Sequence, residues 1–327
     1  KLYCLILSAN LQLYRGSPHI ALELIDKAEI SIKELKIDCL ILPALLVRLV
    51  AFIQLNKDCK SLIRQISENF NQYGKLYHDD GQIKLPIVLD EWNHTFHLKF
   101  DWLTTEEISI IVHFLTGVSF LKDSRNKSQM CFDKALKNLR KLQKYDKYHN
   151  ISIDDFNRRL QRLKYLKILF NIYKTINNFI LNDYNLDPLN EFMQETNQNE
   201  FETEYSIMIQ SVYPLIYYCF AMFYHHNADL QAAKYYYLKV IQLLGNNNSI
   251  NLATANDNNI DEILEISWNS FIQLLFGVPS RSVAPKGKFN ELYVFATLNL
   301  TILLDYEHGI LKDKTPSYAI QLKHKCL

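Results

Sequence analysis

Between residues 217 and 240 a single spacing governs the chain. Tyr217, Phe220, Ala221 and Tyr224 set two large residues, a small one and an aromatic one at intervals of three, one and three, and Ala233, Tyr237 and Val240 follow as small, aromatic and small. Intervals of three and four place each set on one face of a helix. The small members mark where two antiparallel helices can close to contact, and the large ones fill the hollow beside them. A lone pair of this kind leaves an apolar face bare, so such pairs must stack, and the stack leaves a concave groove. A chain built this way is suited to holding something rather than to catalysis.

The spacing is that of a tetratricopeptide repeat, W-x2-L-G-x2-Y followed by A-x3-F-x2-A. Weaker copies occur elsewhere: Ser8-Ala9 before Ala21 to Ala28; Leu115, Gly117, Ser128, Phe132 and Ala135; and Val50-Ala51 before Leu62 and Ile66. An ordinary bundle would not repeat small residues in register. The expected fold is all-α, a tetratricopeptide-like solenoid of antiparallel helix pairs forming one array over residues 1–327. Because the chain starts at Lys1 and ends inside the amphipathic stretch Tyr318 to Leu327, it is expected to be part of a longer array.

Apolar periodicity predicts helices at 2–14, 18–34, 40–55, 57–74, 105–121, 124–145, 152–181, 186–198, 201–227, 229–244, 259–276, 290–306 and 316–326. Residues 77–104 lack helical period and carry Asp79-Asp80-Gly81 and Pro86, which predicts a long connection without sheet. The Asn-rich stretch 245–259 and the segment 277–289 are read as loops.

Six cysteines lie scattered without a C-x2-C pair, which suits reduced thiols on helix faces. The apolar run Cys39 to Leu55 is interrupted by Pro43 and Arg48 and falls short of a membrane span, so a buried helix is expected there. With a formal charge of +1, the chain as a whole has no polyanion-binding signature. His78, Asp79, His94 and His97 could imitate a metal cluster, but in an aperiodic segment they read as exposed loop residues, so neither metal nor cofactor is expected. Gly287-Lys288-Phe289 is no phosphate loop, and G-x-S-x-G, H-E-x2-H and G-x-G-x2-G are missing from the sequence.

One set of residues is not explained by repeat packing. Leu76 to Ile83, Phe100 to Glu107, the helix ending Cys131 to Leu142, and Glu291 to Leu300 in that order resemble the cohesin-loading factor family, the tetratricopeptide subunit of the cohesin loader, in a fungal-type form. The irregular His-Asp-Asp and Trp-Leu segments are the most telling part. The resemblance implies a non-enzymatic nuclear scaffold that wraps the extended N-terminal segment of the large HEAT-repeat loader subunit and helps bring cohesin to chromatin. The alternative is another tetratricopeptide adaptor, such as a chaperone-tail clamp or an assembly factor, although Asn10 and Arg48 are almost all that the early first helices offer a terminal carboxylate.

First helices line the inner wall of such an array, which makes Tyr3, Tyr14, Arg48, Phe52, His113, Phe120, Tyr217, Tyr224 and Phe295 candidates for touching the threaded segment. Aromatics at helical spacing are also ordinary core. A second surface lies in the charges: from Lys122 to Lys167 there are fourteen Lys or Arg against five Asp, and Lys134, Lys137, Lys141 and Lys144 form one stripe. It could receive a phosphorylated or acidic chromatin receptor, contact DNA phosphates with help from Arg158, Arg159 and Arg162, or be only a solvated face.

Overall fold

The computed structural model describes residues 2–77, 81–89, 94–144, 153–190, 193, 203–244 and 291–311. They divide between two compact units, one built on residues up to Leu181 and one on residues from Asn182 onward. The expected helices at 259–276 and 316–326, the loops 245–259 and 277–289, and most of 186–198 lie outside the described residues.

The first unit contains α1 (Leu2–Tyr14), α2 (Pro18–Leu35), α3 (Ile41–Gln54), α4 (Lys60–Tyr73), β1 (Gln82–Leu89), β2 (His94–Asp101), α5 (Thr105–Phe120), α6 (Arg125–Lys144) and α7 (Ile153–Ile180). Consecutive helices α1 to α4 pack in order, α3 also meets α5, and α6 is flanked by α5 and α7. Helix α3 is the apolar run weighed above as a membrane span. Its residues Leu42 to Val47 are all buried by neighbouring helices. No described helix is long and apolar enough to cross a membrane.

The expected small-residue contacts are present. Ala9, Ala21 and Ala28 are fully buried where α1 meets α2. At the α5–α6 contact the side chain of Ser128 donates to the Gly117 carbonyl at 2.8 Å. A Cβ on Gly117 would stand 2.6 Å from Cε1 of Phe132, so only hydrogen fits there. Phe132 itself packs on Phe114, which stacks on Phe170 of α7 at 4.7 Å.

The expected connection at 77–104 is corrected to an antiparallel hairpin, Gln82 pairing with Asp101 and Leu89 with His94. The period-two signal lay in Ile83, Leu85 and Ile87 and in Phe96, Leu98 and Phe100, but Pro86 obscured it. A two-stranded ribbon has only edge strands, where proline costs no required ladder bond. Tight contacts root the hairpin: Ile83 is buried, Tyr3 packs on Phe100 at 4.4 Å, and Trp102 N–H donates to the Gly81 carbonyl at 2.6 Å. Gly81 has φ of 67°, and a side chain there would press on Arg159 and the Trp102 carbonyl.

The Trp-Leu-Thr-Thr-Glu-Glu segment that follows has a structural purpose. Thr104 and Glu107 form a reciprocal capping box at the start of α5, with bonds of 3.2 and 2.8 Å. The Glu107 carboxylate, 2% exposed, also pairs with Arg162 of α7 at 3.3 Å. Thr105 Oγ1 donates to the Gly74 carbonyl at 3.0 Å, and Tyr77 rests on Trp102 at 5.1 Å while its hydroxyl donates to the Cys39 carbonyl.

The second unit contains α8 (Thr203–His226), α9 (Leu230–Leu244) and α10 (Glu291–Leu311). Ala221, Ala233, Tyr237 and Val240 are fully buried at the α8–α9 contact, and Leu292, Ala296, Leu300 and Leu303 of α10 complete this core.

Gly117→Ala is expected to lower stability by about 1–3 kcal/mol through overpacking against Phe132. Thermal unfolding checks this, and Phe132→Leu in the same chain should recover part of the loss. Glu107→Ala, which removes the carboxylate paired with Arg162, is expected to cost about 3 kcal/mol, more than the roughly 1 kcal/mol of Thr104→Ala, in denaturant titrations.

Candidate functional site

The expected inner-wall residues fall into different environments. In the first unit Tyr14 is core, and Tyr3 is half-buried with Phe100 against its ring. Arg48 is held between Asp26 and Glu29 of α2 at 2.5 and 2.9 Å, which ties α2 to α3. Asn10 is buried as well, so neither polar residue considered for a carboxylate clamp is presented freely. Phe52 and Phe120, near the ends of α3 and α5, are half-buried, each with a lysine ammonium over the ring, Lys57 at 5.5 Å and Lys127 at 5.8 Å.

Helix α5 has no exposed residue along its length. Beyond its first turn, the accessible strip consists of half-buried Ser109, Val112, His113, Thr116, Ser119 and Phe120. Nδ1 of His113 lies 2.6 Å from the Ser109 carbonyl oxygen. Burial holds the imidazole below its ordinary pKa, the Ser109 carbonyl opposes that shift, and the charge of Lys134 adds to it.

Lys134, Lys137 and Lys141 are exposed on α6; Lys144 lies at the end of the same helix. Lys137 and Lys141 line an open hollow of about 430 Å³ with Asp133, Leu136, Arg140 and, from α7, Lys174. Lys174 is paired with Asp133 at 2.6 Å, so among the described lining residues four cations meet one carboxylate. Lys141 also borders a second hollow of about 460 Å³ lined by Phe70, Ile110 and Leu142 together with polar groups. The sequence pointed to Lys137 and Lys141 through their period but gave no sign of Lys174, which α7 supplies from far along the chain. Arg140 was within reach of the same helical reasoning.

Of the three arginines weighed for DNA, two are committed elsewhere, and the side chain of Arg158 lies outside the described residues. Arg159 is buried beside Gly81, and Arg162 pairs with Glu107. Of the group weighed as a metal cluster, His94 and His97 lie on β2 rather than in a loop, and His78 and Asp79 lie outside the described residues.

In the second unit Tyr217 and Tyr224 are brought together by Tyr236 of α9, at 6.0 and 5.4 Å. Phe295 is 52% exposed on α10, in a stripe with Leu298, Ile302 and Tyr306.

Stacked helix pairs with aromatic and cationic surfaces define an all-α helical-repeat scaffold. The chain matches the cohesin loading factor family over residues 1–326, and it belongs to that family, with a role in cohesin loading. No curated protein and no solved structure matches it.

The pH dependence has a defined sign. His113 and His225 both have depressed pKa values through burial, so the fold favours their neutral forms. Their contribution is complete above the ordinary value of about 6.5 and is lost as pH falls through it toward the lowered folded values. The melting temperature is expected to drop between about pH 7 and pH 5, and His113→Gln should make the drop shallower in a pH series of thermal melts.

Proposed function

We propose that the chain is the scaffold subunit of a cohesin loader, non-catalytic and acting in the nucleus. It wraps the extended N-terminal segment of the large HEAT-repeat subunit and helps to recruit cohesin to chromatin. The observation that carries this reading is the family match along residues 1–326 of a chain whose described residues are stacked helix pairs. An extended segment that orders on binding makes many small contacts, and their sum offsets the ordering entropy. Of the inner-wall candidates, Tyr3, Phe52, His113, Phe120, Tyr217, Tyr224 and Phe295 retain accessible surface, which supports their use as contacts.

The basic hollow on α6 and α7 has a separate task in this reading, the reception of a phosphorylated or acidic segment of a chromatin receptor. Lys137, Arg140, Lys141 and Lys174 can make charge-assisted bonds to phosphate oxygens, and Asp133 is the one carboxylate among the described lining residues. DNA is the weaker occupant, since Arg159 and Arg162 are held inside the fold.

Lys137→Glu with Lys141→Glu is expected to leave co-purification of the large loader subunit intact while cohesin recruitment, read by chromatin immunoprecipitation, falls by roughly tenfold, as the loss of one or two charge-assisted bonds implies. Unchanged recruitment would remove the receptor from this hollow, and loss of the large subunit would place that subunit there instead.

A further inference from the structure

The hairpin of β1 and β2 is a ribbon with two outer edges, and its register fixes what each edge offers. Trp102 N–H donates to the Gly81 carbonyl at 2.6 Å, so that pair is hydrogen-bonded. Alternation along the ladder then makes Ile83 with Phe100, Leu85 with Leu98 and Ile87 with Phe96 hydrogen-bonded as well. The residues between them, Gln82, Lys84, Pro86 and Val88 on β1 and Thr95, His97, Lys99 and Asp101 on β2, turn their backbone groups outward. Two further features agree with this phase. Pro86, which has no N–H to give, falls at an outward position, and the outward carbonyl of Lys84 accepts a bond from Cys39 Sγ at 3.7 Å.

The edge of β1 is thus closed, by a proline near its middle and by the chain at Cys39, whereas the edge of β2 is open. Among the described residues no third strand joins the sheet, and none bonds the outward N–H or C=O of His97 or Lys99. His97, Leu98 and Lys99 are exposed. The side chains follow the same register. Lys84 and Lys99 stand directly opposite in a non-hydrogen-bonded pair, where Cα atoms are about 4.5 Å apart and like charges repel. Neither lysine has an ion pair among the described residues. His97 shares their face, and Leu98, 48% exposed, lies on the other. The only acidic residue on either strand is Asp101, at the end of the ladder opposite Gln82.

We infer that the outer edge of β2 docks an extended acidic segment of a partner protein as a third strand, with Asp or Glu opposite His97 and Lys99 and an apolar residue between them beside Leu98. Main-chain bonds to His97 and Lys99 supply the attachment, and the alternation of acidic and apolar side chains supplies the selection. Carboxylates offset the repulsion between Lys84 and Lys99, which a neutral strand would leave in place. A second copy of the chain is the poorer occupant, because its own β2 would bring Lys99 and His97 against the same charges, and lysine on an open edge deters such pairing. The site uses residues of β2 that take no part in the basic hollow, and it stands whatever that hollow receives.

The test uses the full chain and three fluorescein-labelled synthetic peptides: one alternating glutamate with valine, one with the same residues in two blocks, and one alternating lysine with valine. Fluorescence anisotropy is expected to show binding of the first and roughly tenfold weaker binding of the other two. His97→Pro removes an outward N–H and leaves the bonds to β1, as Pro86 does on the other strand, so it should weaken the first peptide by roughly tenfold at an unchanged melting temperature. Lys99→Glu should reverse the preference toward the lysine peptide, and it decides the matter if His97→Pro lowers the melting temperature. No binding of the first peptide, equal binding of the alternating and block peptides, or indifference to Lys99→Glu overturns the inference. So does sedimentation of the chain alone as a dimer that His97→Pro dissolves, which would give the edge to a second copy.

Discussion

Two helices that meet at a glycine or alanine lie closer than bulkier residues allow, and the remaining structure depends on that closeness. At Gly117 the ring of Phe132 occupies the space a methyl group would need, and Ser128 bonds to the carbonyl of the same residue. Ala221 and Ala233 do the same work for α8 and α9, with Tyr237 fully buried beside them. Close approach brings dispersion contacts of many atoms into range and fixes the pairing of the helices. Each pair then offers its outer faces to neighbours, so the local contact determines what remains for partners.

The charged residues divide by the same logic. Arg48 ties α3 to α2 through two carboxylates, Arg162 reaches both Glu107 and the Trp102 carbonyl, and Arg159 is buried beside Gly81. Lys134, Lys137 and Lys141 stand in water on α6, where a flexible ammonium is inexpensive to maintain and available to a ligand. These three arginines fasten neighbouring elements, whereas Arg140 stands exposed beside the lysines of α6.

Sequence reasoning read the helix pairs well because small and large residues at fixed intervals are a local signal. It missed the hairpin because Pro86 and the unusual Asp-Asp-Gly start outweighed two short alternating runs. The Trp102 to Glu107 segment was legible as a resemblance, but its physical basis, a capping box joined to a buried ion pair with α7, depends on a contact 55 residues away in the chain. The same holds for the candidate site. Lys137 and Lys141 were visible through helical period, whereas Lys174 enters the hollow only through packing. Tyr14 and Arg48 looked alike to Phe52 in sequence, and only their neighbours distinguish core and tie from accessible surface.

Hydrogen exchange on the full chain, alone and with the N-terminal segment of the large HEAT-repeat loader subunit, tests the central claim most directly. The account predicts slowed exchange in peptides from α3 and α8 on adding the segment, with peptides from Lys134 to Lys144 unchanged. Unaltered exchange in every helix, or slowing confined to the basic end of α6, would contradict it.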